Sequence, residues 1–306
     1  MKLIILRGLP AAGKSTIAQG IILANKNTVR ISKGMLRKML HFGKVTDENN
    51  SITDAIAYEM ARLLLGKGIS VVVDDPNLDP KIMDAWKKFA TDLRIETEVI
   101  DMTDVPIEDC IERDKRREDS LGAVLIKNLA IRHGIKKFEP GNVLICDIDG
   151  TIADISHRLP FIIKGKKAKK DWKKDWDSFF SAMEYDLVRP EIQKLLVQEH
   201  ALGKTIIFMT ARPDKYRDLT MRWLQTNFLT FSYTLIMRKT NDKRPDTEVK
   251  KELLERYFPD KGVIHAILED RPSVIKVFKD MGLNVIDAGN GKEFNVTEDF
   301  VNITIQ

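Results

Sequence analysis

Asp147 and Asp149 have the types and the spacing that phosphoryl transfer requires. They follow the apolar run Val143–Cys146 and precede Gly150 and Thr151. A short apolar run bounded by turn residues predicts a buried parallel strand, and parallel sheets bind ligands at the carboxyl ends of their strands. Alternation along an extended segment places both carboxylates on the same side. One can attack phosphorus while the other donates a proton and later activates water; two solvated acids are the alternative.

Residues 8–15 form the pattern G-x-x-x-x-G-K-S between an apolar run and a helical pattern. Gly8 and Gly13 let the backbone wrap so that its N–H groups face phosphate oxygens. The Lys14 ammonium can neutralise the β- and γ-phosphates of ATP, and the Ser15 hydroxyl suits Mg²⁺. The pattern predicts a nucleotide-binding P-loop, with a plain glycine-rich turn as the alternative.

Three further features of the first half can contribute to the same site. Asp75 follows an apolar strand at residues 69–73, where an acid can bind a Mg²⁺ water or a substrate hydroxyl or can be a structural turn residue. Arg37 faces the site from the first turn of a predicted helix. Residues 111–117 gather four cations, which can close over a nucleotide in P-loop kinases or form a solvated helix face.

Glu269 and Asp270 follow the apolar run 263–268, which predicts a further strand of the sheet around Asp147. Carboxylate oxygens are the ligands that Mg²⁺ prefers, and such an ion keeps an open position for substrate. We therefore expect a Mg²⁺ site at this edge of the sheet. Its expected ligands are Asp147, Asp149, Glu269 and Asp270.

The second half carries two more groups that suit a substrate phosphate. Thr210 ends the apolar run 205–209, and a hydroxyl at a strand end can hold a phosphoryl oxygen. Arg238 and Arg244 flank a loop after the next predicted strand. We expect Arg244 to bind substrate phosphate.

The segment from Thr151 to about Tyr185 has no long apolar run and interleaves cations with aromatic residues. This composition suits a single nucleic acid strand, because cations neutralise phosphates and aromatic rings stack on bases. A solvated lysine-rich loop is the alternative. The residues in question are lysines 164, 166, 167, 169, 170, 173 and 174, with Trp172 and Trp176.

The composition is that of a globular protein that can meet a polyanion. The chain has 306 residues, of which 43% are hydrophobic and 31% charged, and its net charge is +5. Cys110 and Cys146 predict no disulfide framework, and the amino-terminal apolar run is too short for a signal peptide or a membrane span. We therefore expect a cytoplasmic protein without membrane contact.

A helical pattern at residues 124–138 is followed by Pro140 and Gly141 and then by a new strand. Proline and glycine after a helix indicate a boundary. We expect two α/β domains, residues 1–139 and 143–306, each with a parallel sheet and helices on both faces.

The run Asp-x-Asp-Gly-Thr resembles the first motif of haloacid dehalogenase-like phosphatases. With a P-loop kinase module before it, nearly the whole chain resembles the phage-type bifunctional polynucleotide 5′-kinase/3′-phosphatases, in the same domain order. In the second half the resemblance implies that Thr210 belongs to the second motif. It further implies that Arg158 and Arg212 lie in the phosphatase site and that Lys250 neutralises charge between nucleophile and phosphate.

In the first half, the resemblance implies that Lys14, Ser15 and Thr16 contact the donor phosphates. Arg37 matches the arginine that grips the 3′-phosphate of the acceptor. The remaining matches are Asp75 with Pro76, Asn77 and Leu78 as the acid-x-Asn-Leu segment, and Arg113 and Arg117 as the lid arginines.

One position departs from the family pattern. Three residues before its counterpart of Arg37, the family has an aspartate that acts as general base on the 5′-hydroxyl. This chain has Gly34 there. The resemblance therefore implies no base at this position.

The sequence as a whole predicts an enzyme that heals broken polynucleotide ends in RNA or DNA, with Mg²⁺ and with ATP as donor. We expect nucleic acid and a polynucleotide ligase as partners, and homo-oligomers are compatible with the sequence. One alternative is a small-metabolite kinase fused to a small-metabolite phosphatase. Another is a phosphatase whose P-loop half is only a nucleotide-binding tether, as Gly34 allows.

Overall fold

The computed structural model describes residues 1–163 and 173–289 of the chain. Contacts divide the chain into two compact units, Met1–Lys136 and Lys137–Gln306. Both units are α/β folds around a parallel sheet, as the sequence predicted. Among the described residues, no helix is both long and apolar enough to cross a membrane.

The first unit holds a parallel sheet of order β2-β3-β1-β4. Alternation along β1 sends Leu3 and Ile5 into one apolar cluster and Ile4 and Leu6 into another, so helices cover both faces. Its strands are β1 (Lys2–Arg7), β2 (Thr28–Ile31), β3 (Ser70–Asp74) and β4 (Glu96–Asp101), and its helices are α1 (Lys14–Ala24), α2 (Lys33–His41), α3 (Asp47–Gly66), α4 (Pro80–Asp92), α5 (Ile107–Lys115) and α6 (Ala123–Arg132).

The second unit holds a parallel sheet of order β11-β10-β5-β8-β9 and the antiparallel pair β6-β7. β5 lies at the centre and is fully buried. The strands are β5 (Val143–Cys146), β6 (Ala153–Asp154), β7 (Leu187–Val188), β8 (Thr205–Pro213), β9 (Tyr233–Arg238), β10 (Ile264–Glu269) and β11 (Val285–Asp287), and the helices are α7 (Trp176–Ser181), α8 (Pro190–Ala201), α9 (Arg217–Asn227), α10 (Asp246–Tyr257) and α11 (Pro272–Asp280).

Two predicted boundaries are wrong. The helix predicted at residues 124–138 ends at Arg132, because Gly134 adopts a left-handed φ of 66° and Ile135 N–H donates to Ala130 O at 2.8 Å. These are features of a Schellman-type helix end. The strand predicted at residues 205–209 continues to Pro213, so Thr210 lies inside it.

Candidate phosphoryl-transfer sites

Asp147 follows the central strand β5, between the carboxyl ends of β10 and β8. Only 5% of this residue is exposed. The Lys250 ammonium of α10 lies 2.8 Å from Asp147 Oδ1 and 2.5 Å from Glu269 Oε2. Burial raises the pKa of Asp147, and the ammonium opposes that rise. Lys250 therefore favours the carboxylate form, which is the form that can attack phosphorus.

Three acids gather at this strand end and fit a divalent cation. Oxygen atoms of Asp147, Glu269 and Asp270 all lie within 4.8 Å of one another. Burial, with the charge of Asp147, raises the pKa of Asp270 to about 6. A hard cation would relieve this repulsion, and carboxylate oxygens are the ligands that Mg²⁺ prefers.

Gly150 gives Asp270 the space to approach the strand end. Its φ is +84°, and a Cβ atom there would overlap the Asp270 carboxylate. Thr151 donates a hydrogen bond to Asp270 Oδ1 at 3.2 Å. The Gly-Thr pair after the two aspartates thus holds an acid from the neighbouring strand.

The carboxylate of Asp149 faces two buried arginines. It accepts hydrogen bonds from Arg158 Nη2 and from Arg212 Nε and Nη2, the latter two at 3.0 and 2.5 Å. Burial acts to raise the pKa of Asp149, but Arg212 and Arg158 outweigh it and lower that pKa. The sequence predicted Asp149 as a metal ligand; its carboxylate lies instead with the arginines, because two guanidinium groups already compensate its charge.

Asp186 completes this arrangement, and it is not among the site residues predicted from the sequence. It has no exposed side-chain surface and accepts from Arg158 Nε and Nη2, each at 2.7 Å, and from Arg212 Nη2 at 3.1 Å. His157 Nε2 lies 3.0 Å from its Oδ1. The antiparallel pair β6-β7 brings Asp186 back to Arg158, 28 residues away. No local pattern signals a contact of that range.

Aromatic rings pack next to Arg158. The Arg158 guanidinium carbon lies 4.2 Å from the centre of the Phe179 ring. Trp176 packs edge-on against Phe179, with 5.7 Å between the ring centres. Trp176 is 47% exposed. Lys174 Nζ lies 5.6 Å from the Trp176 ring. Lysines 164, 166, 167, 169 and 170 and Trp172 lie outside the described residues.

The two remaining phosphatase candidates have different surroundings. Thr210 is 1% exposed, and its Oγ1 accepts the Arg212 backbone N–H at 3.2 Å. Arg244 Nη2 lies 2.6 Å from Asp242 Oδ2 and 2.5 Å from Glu252 Oε2. Within the described part of the chain, the contacts of Arg244 are these local ion pairs, and none of them joins it to the carboxylate cluster.

The P-loop joins β1 to α1, and its glycines are needed for different reasons. A Cβ atom on Gly8 would lie 3.1 Å from the Met102 carbonyl oxygen, so a side chain there would displace backbone. Gly13 has a φ of +105°, which L side chains rarely adopt. Ser15 and Thr16 follow in the first turn of α1 and are exposed.

Lys14 is folded into this loop. Its ammonium donates to the carbonyl oxygens of Gly8 and Leu9 at 3.0 and 2.6 Å, and the residue is 7% exposed. Burial lowers the pKa of Lys14 to about 8, and the charge of Asp74 acts against that lowering. A phosphate group would replace the carbonyls with a full negative charge and favour the ammonium.

Asp74 is a second residue that sequence reasoning missed, because it favoured Asp75. β3 ends at Asp74, opposite Leu6 of β1. Asp74 Oδ2 accepts from Arg30 Nε at 2.7 Å, and Arg30 Nη2 lies 3.5 Å from Ser15 Oγ. Arg30 therefore joins Asp74 to Ser15, the predicted Mg²⁺ ligand of the P-loop.

Asp75 turns instead to the amino terminus of α2. Its two carboxylate oxygens accept the Lys33 backbone N–H at 3.0 and 3.2 Å, and the residue is 8% exposed. Burial raises the pKa of Asp75 to about 6. This carboxylate anchors the helix that carries Arg37, whose Nε donates to Asn50 Oδ1 at 3.0 Å.

The two lid arginines contact different parts of the first unit. Arg113 Nη1 lies 3.4 Å from the Ala12 carbonyl oxygen of the P-loop. Arg117 Nε lies 3.0 Å from Asp119 Oδ1, and Asp119 Oδ2 lies 2.7 Å from Lys38 Nζ of α2. Asp119 therefore links the segment after α5 to α2.

Gly34 is not required by the backbone or by packing. It lies exposed in the first turn of α2 and does not have a positive φ. Among the described residues, a Cβ atom there would meet one atom within 4 Å, Ser32 Oγ at 3.7 Å. A larger residue would fit without rearrangement.

The second unit has the fold and the motif order of a haloacid dehalogenase-like phosphatase, and the first is a P-loop ATP-binding fold. Residues 141–293, half of the chain, match the family model described as the polynucleotide kinase PNKP phosphatase domain. The chain belongs to this family, so the resemblance seen in its motifs is confirmed. Residues 3–140 match the model described as an AAA domain.

Individual relatives are distant. A baculovirus protein named "Putative bifunctional polynucleotide kinase/RNA ligase", from Autographa californica nuclear polyhedrosis virus, is 24% identical over 324 residues. That match covers 98% of this chain but 43% of the relative, so the chain spans less than half of that protein. Among solved structures, a chain of the Pnkp1/Rnl/Hen1 RNA repair complex is 22% identical, with 95% and 96% of the two chains covered and a TM-score of 0.41. The APS kinase CysC of Mycobacterium tuberculosis is 21% identical, covers 38% of this chain and 69% of its own, and has a TM-score of 0.32.

The lowered pKa of Lys14 predicts a pH-dependent affinity for ATP. Above about pH 8 the free protein loses the Lys14 proton, and ATP binding must restore it. The Kd for ATP should therefore rise by roughly tenfold between about pH 8 and pH 9.5. Titration calorimetry at several pH values measures this. Lys14→Arg, which stays charged, should show a flat profile, and a flat wild-type profile would contradict the prediction.

Removal of the Asp186 charge should damage the phosphatase unit strongly. Asp186→Asn leaves two buried guanidinium groups with Asp149 as their remaining carboxylate partner. Breaking a buried ion pair in this way costs about 3–5 kcal/mol of folding free energy. Urea unfolding of this unit should show that loss. The matched control is the exposed Asp177→Asn, for which a loss above about 1 kcal/mol is not expected.

Proposed function

We propose that this protein heals broken polynucleotide ends, removing 3′-phosphates in its second unit and phosphorylating 5′-hydroxyls in its first. The observation that carries the proposal is the placement of Asp147. Asp147 is a buried carboxylate at a strand end, with the Lys250 ammonium at 2.8 Å and two further acids beside it. The paired arginines around Asp149 complete the arrangement.

In the proposed phosphatase reaction, an Asp147 oxygen attacks phosphorus as the bond from phosphorus to the 3′-oxygen breaks. Asp149 donates a proton to that oxygen, which leaves as a 3′-hydroxyl. Water then attacks the aspartyl-phosphate, Asp149 takes its proton, and inorganic phosphate and free Asp147 result. A Mg²⁺ ion held by Asp147, Glu269 and Asp270 would supply positive charge to the phosphoryl oxygens.

The arginines can set the proton affinity of Asp149 during this cycle. With Arg158 and Arg212 bound, Asp149 is held as an anion and cannot donate a proton. A substrate phosphate competes for the same guanidinium groups, which weakens their hold on Asp149 and raises its proton affinity. After the 3′-hydroxyl leaves, renewed contact with the arginines restores the anion.

In the proposed kinase reaction, the 5′-hydroxyl oxygen bonds to the γ-phosphorus of ATP, and the bond from that phosphorus to the β,γ-bridging oxygen breaks. Lys14 and Ser15 hold the donor phosphates, and Mg²⁺ at Ser15 would neutralise their charge. Arg113 and Arg117 cover them, and Arg37 holds the acceptor. Asp75 fixes α2, which bears Arg37.

A polynucleotide, rather than a small metabolite, fits the surroundings of the phosphatase site. Trp176 offers exposed aromatic surface, with Lys174 beside the indole, and it packs on Phe179, which is buried against Arg158. Such a surface can stack a base while a cation neutralises its phosphate. The products, a 3′-hydroxyl and a 5′-phosphate, are the ends that a polynucleotide ligase joins, so we propose a ligase as the functional partner.

Asp147→Asn tests the phosphatase. It should abolish release of phosphate from a 3′-phosphorylated oligonucleotide and leave ATP affinity unchanged, because no second nucleophile adjoins the site in the described chain. Chelation of Mg²⁺ should have a similar effect. The matched control is the exposed Asp280→Asn. More than trace activity in Asp147→Asn would contradict the covalent mechanism, and faster turnover of a 3′-mononucleotide than of the oligonucleotide would contradict a polynucleotide substrate.

Gly34→Asp tests the kinase. The wild-type chain should phosphorylate 5′ ends slowly at normal ATP affinity, because loss of a positioned base costs about 10²–10⁴ in rate. Since the structure accepts a side chain at Gly34, the aspartate should raise the rate by at least about tenfold. Gly34→Asn is the matched control without a base. Rapid wild-type phosphorylation with no gain in Gly34→Asp would show that another group takes the proton, and no kinase activity in either would favour the tether.

A further inference from the structure

An exposed stripe of three apolar residues and one lysine runs along the outer face of α2. Met35, Lys38, Met39 and Phe42 follow the spacing i, i+3, i+4, i+7, which places them on one side of a helix. Met35 is 56% exposed, Met39 68% and Phe42 99%. Leu36, on another face of the helix, is 7% exposed and belongs to the core. The stripe therefore has no role in packing the first unit.

Phe42 is held in a conformation that its residue type disfavours. It follows α2 with a φ of 50° and a ψ of 34°, in the left-handed region that glycine and asparagine normally occupy. Its ring is fully presented to solvent. Folding stability alone would favour a small polar residue here, and an outlier of this kind points to a binding role.

The segment that carries the stripe is basic, although Asp119 pairs with Lys38 and Asp54 pairs with Lys33. Residues 33–46 contain no aspartate or glutamate. A surface that combines cations with an exposed aromatic ring is complementary to single-stranded nucleic acid. The basic residues of this segment are Lys33, Arg37, Lys38, His41 and Lys44.

The stripe adjoins the proposed kinase site. Arg37, the proposed acceptor ligand, lies within the same helix. Asp119 joins Lys38 to Arg117 through contacts of 2.7 and 3.0 Å, so the stripe begins next to the lid. A strand whose 5′ end is held by Arg37 would have to leave the site along a nearby surface.

We propose that the α2 stripe binds the acceptor strand beyond its terminal nucleotide, with a base stacked on Phe42 and a phosphate near Lys44. This inference rests on the proposed function and names a substrate surface for it. The methionine side chains, which are flexible and apolar, contact neighbouring bases without sequence preference. The surface therefore distinguishes a polynucleotide from a nucleotide.

Binding of a labelled single strand to the full chain tests the proposal without relying on kinase rate. The probe is a 12-nucleotide strand with hydroxyls at both ends, and anisotropy gives its Kd. Phe42→Ala should raise this Kd at least about fivefold, because base–aromatic stacking contributes at that level, whereas Phe42→Trp should not. The affinity for a nucleoside 3′-monophosphate should stay unchanged. Leu23→Ala, at a site that is 76% exposed in the same unit, is the matched control.

Two further measurements locate the contact and its charge. A 5-iodouridine at the second or third nucleotide should crosslink to Phe42 under ultraviolet light. Lys44→Gln should reduce the slope of log K against log salt by about 0.7, as expected for one lost phosphate contact on a single strand. Thermal unfolding should be the same in all variants, since the substituted side chains are exposed.

An unchanged Kd in Phe42→Ala, with no crosslink to α2, would overturn the proposal. The proposal would also be overturned if Phe42→Ala bound the strand normally but lost self-association or binding to anionic lipid vesicles. The occupant of the stripe would then be a second copy of the chain or a membrane. Release of 3′-phosphate by the wild-type chain in the same preparation separates failure of the proposed function from failure of the stripe assignment. If the wild type removes 3′-phosphates but Phe42→Ala binds the strand normally, only the stripe assignment fails.

Discussion

The phosphatase unit depends on the compensation of buried charge around β5. Asp147, Glu269 and Asp270 converge because the carboxyl ends of the paired parallel strands β5 and β10 lie side by side, and the mutual repulsion of these acids would oppose folding. Lys250 places one ammonium between Asp147 and Glu269. The packing of α10, which carries Lys250, against the sheet therefore helps to hold the acids together. The same charges prepare the site for an anionic substrate and a cation.

In the second charge network, around Asp149, the groups that need compensation are two buried arginines rather than a cluster of acids. Arg158 and Arg212 are completely buried and share the carboxylates of Asp149 and Asp186. In the proposed reaction Asp149 changes its protonation state and its contacts, and Asp186 would then keep both guanidinium groups in place.

The first unit combines a loop of P-loop geometry with a helix, α2, in which Gly34 occupies the position where the family that the chain resembles has a base. Gly8, Gly13 and Lys14 have the geometry and the burial that a nucleotide-binding loop requires. Gly34 lies in open space in the first turn of α2, where a side chain would fit. Helix dipole and propensity both favour an acid there over glycine. The structure therefore gives the glycine no folding advantage, and its effect has to be sought in the rate of phosphoryl transfer.

The sequence by itself determined the two α/β units, the strand end that precedes Asp147, the P-loop with Lys14, and the family, because those signals are local patterns. It did not determine which of Asp74 and Asp75 is linked to the P-loop. Arg30 joins Asp74 to Ser15, while Asp75 binds the amino terminus of α2. Nor did it show that Asp149 lies with arginines or that Asp186 joins them. Those partners are brought together by sheet order and by the β6-β7 pair, and contacts between residues far apart in sequence leave no periodic pattern to read.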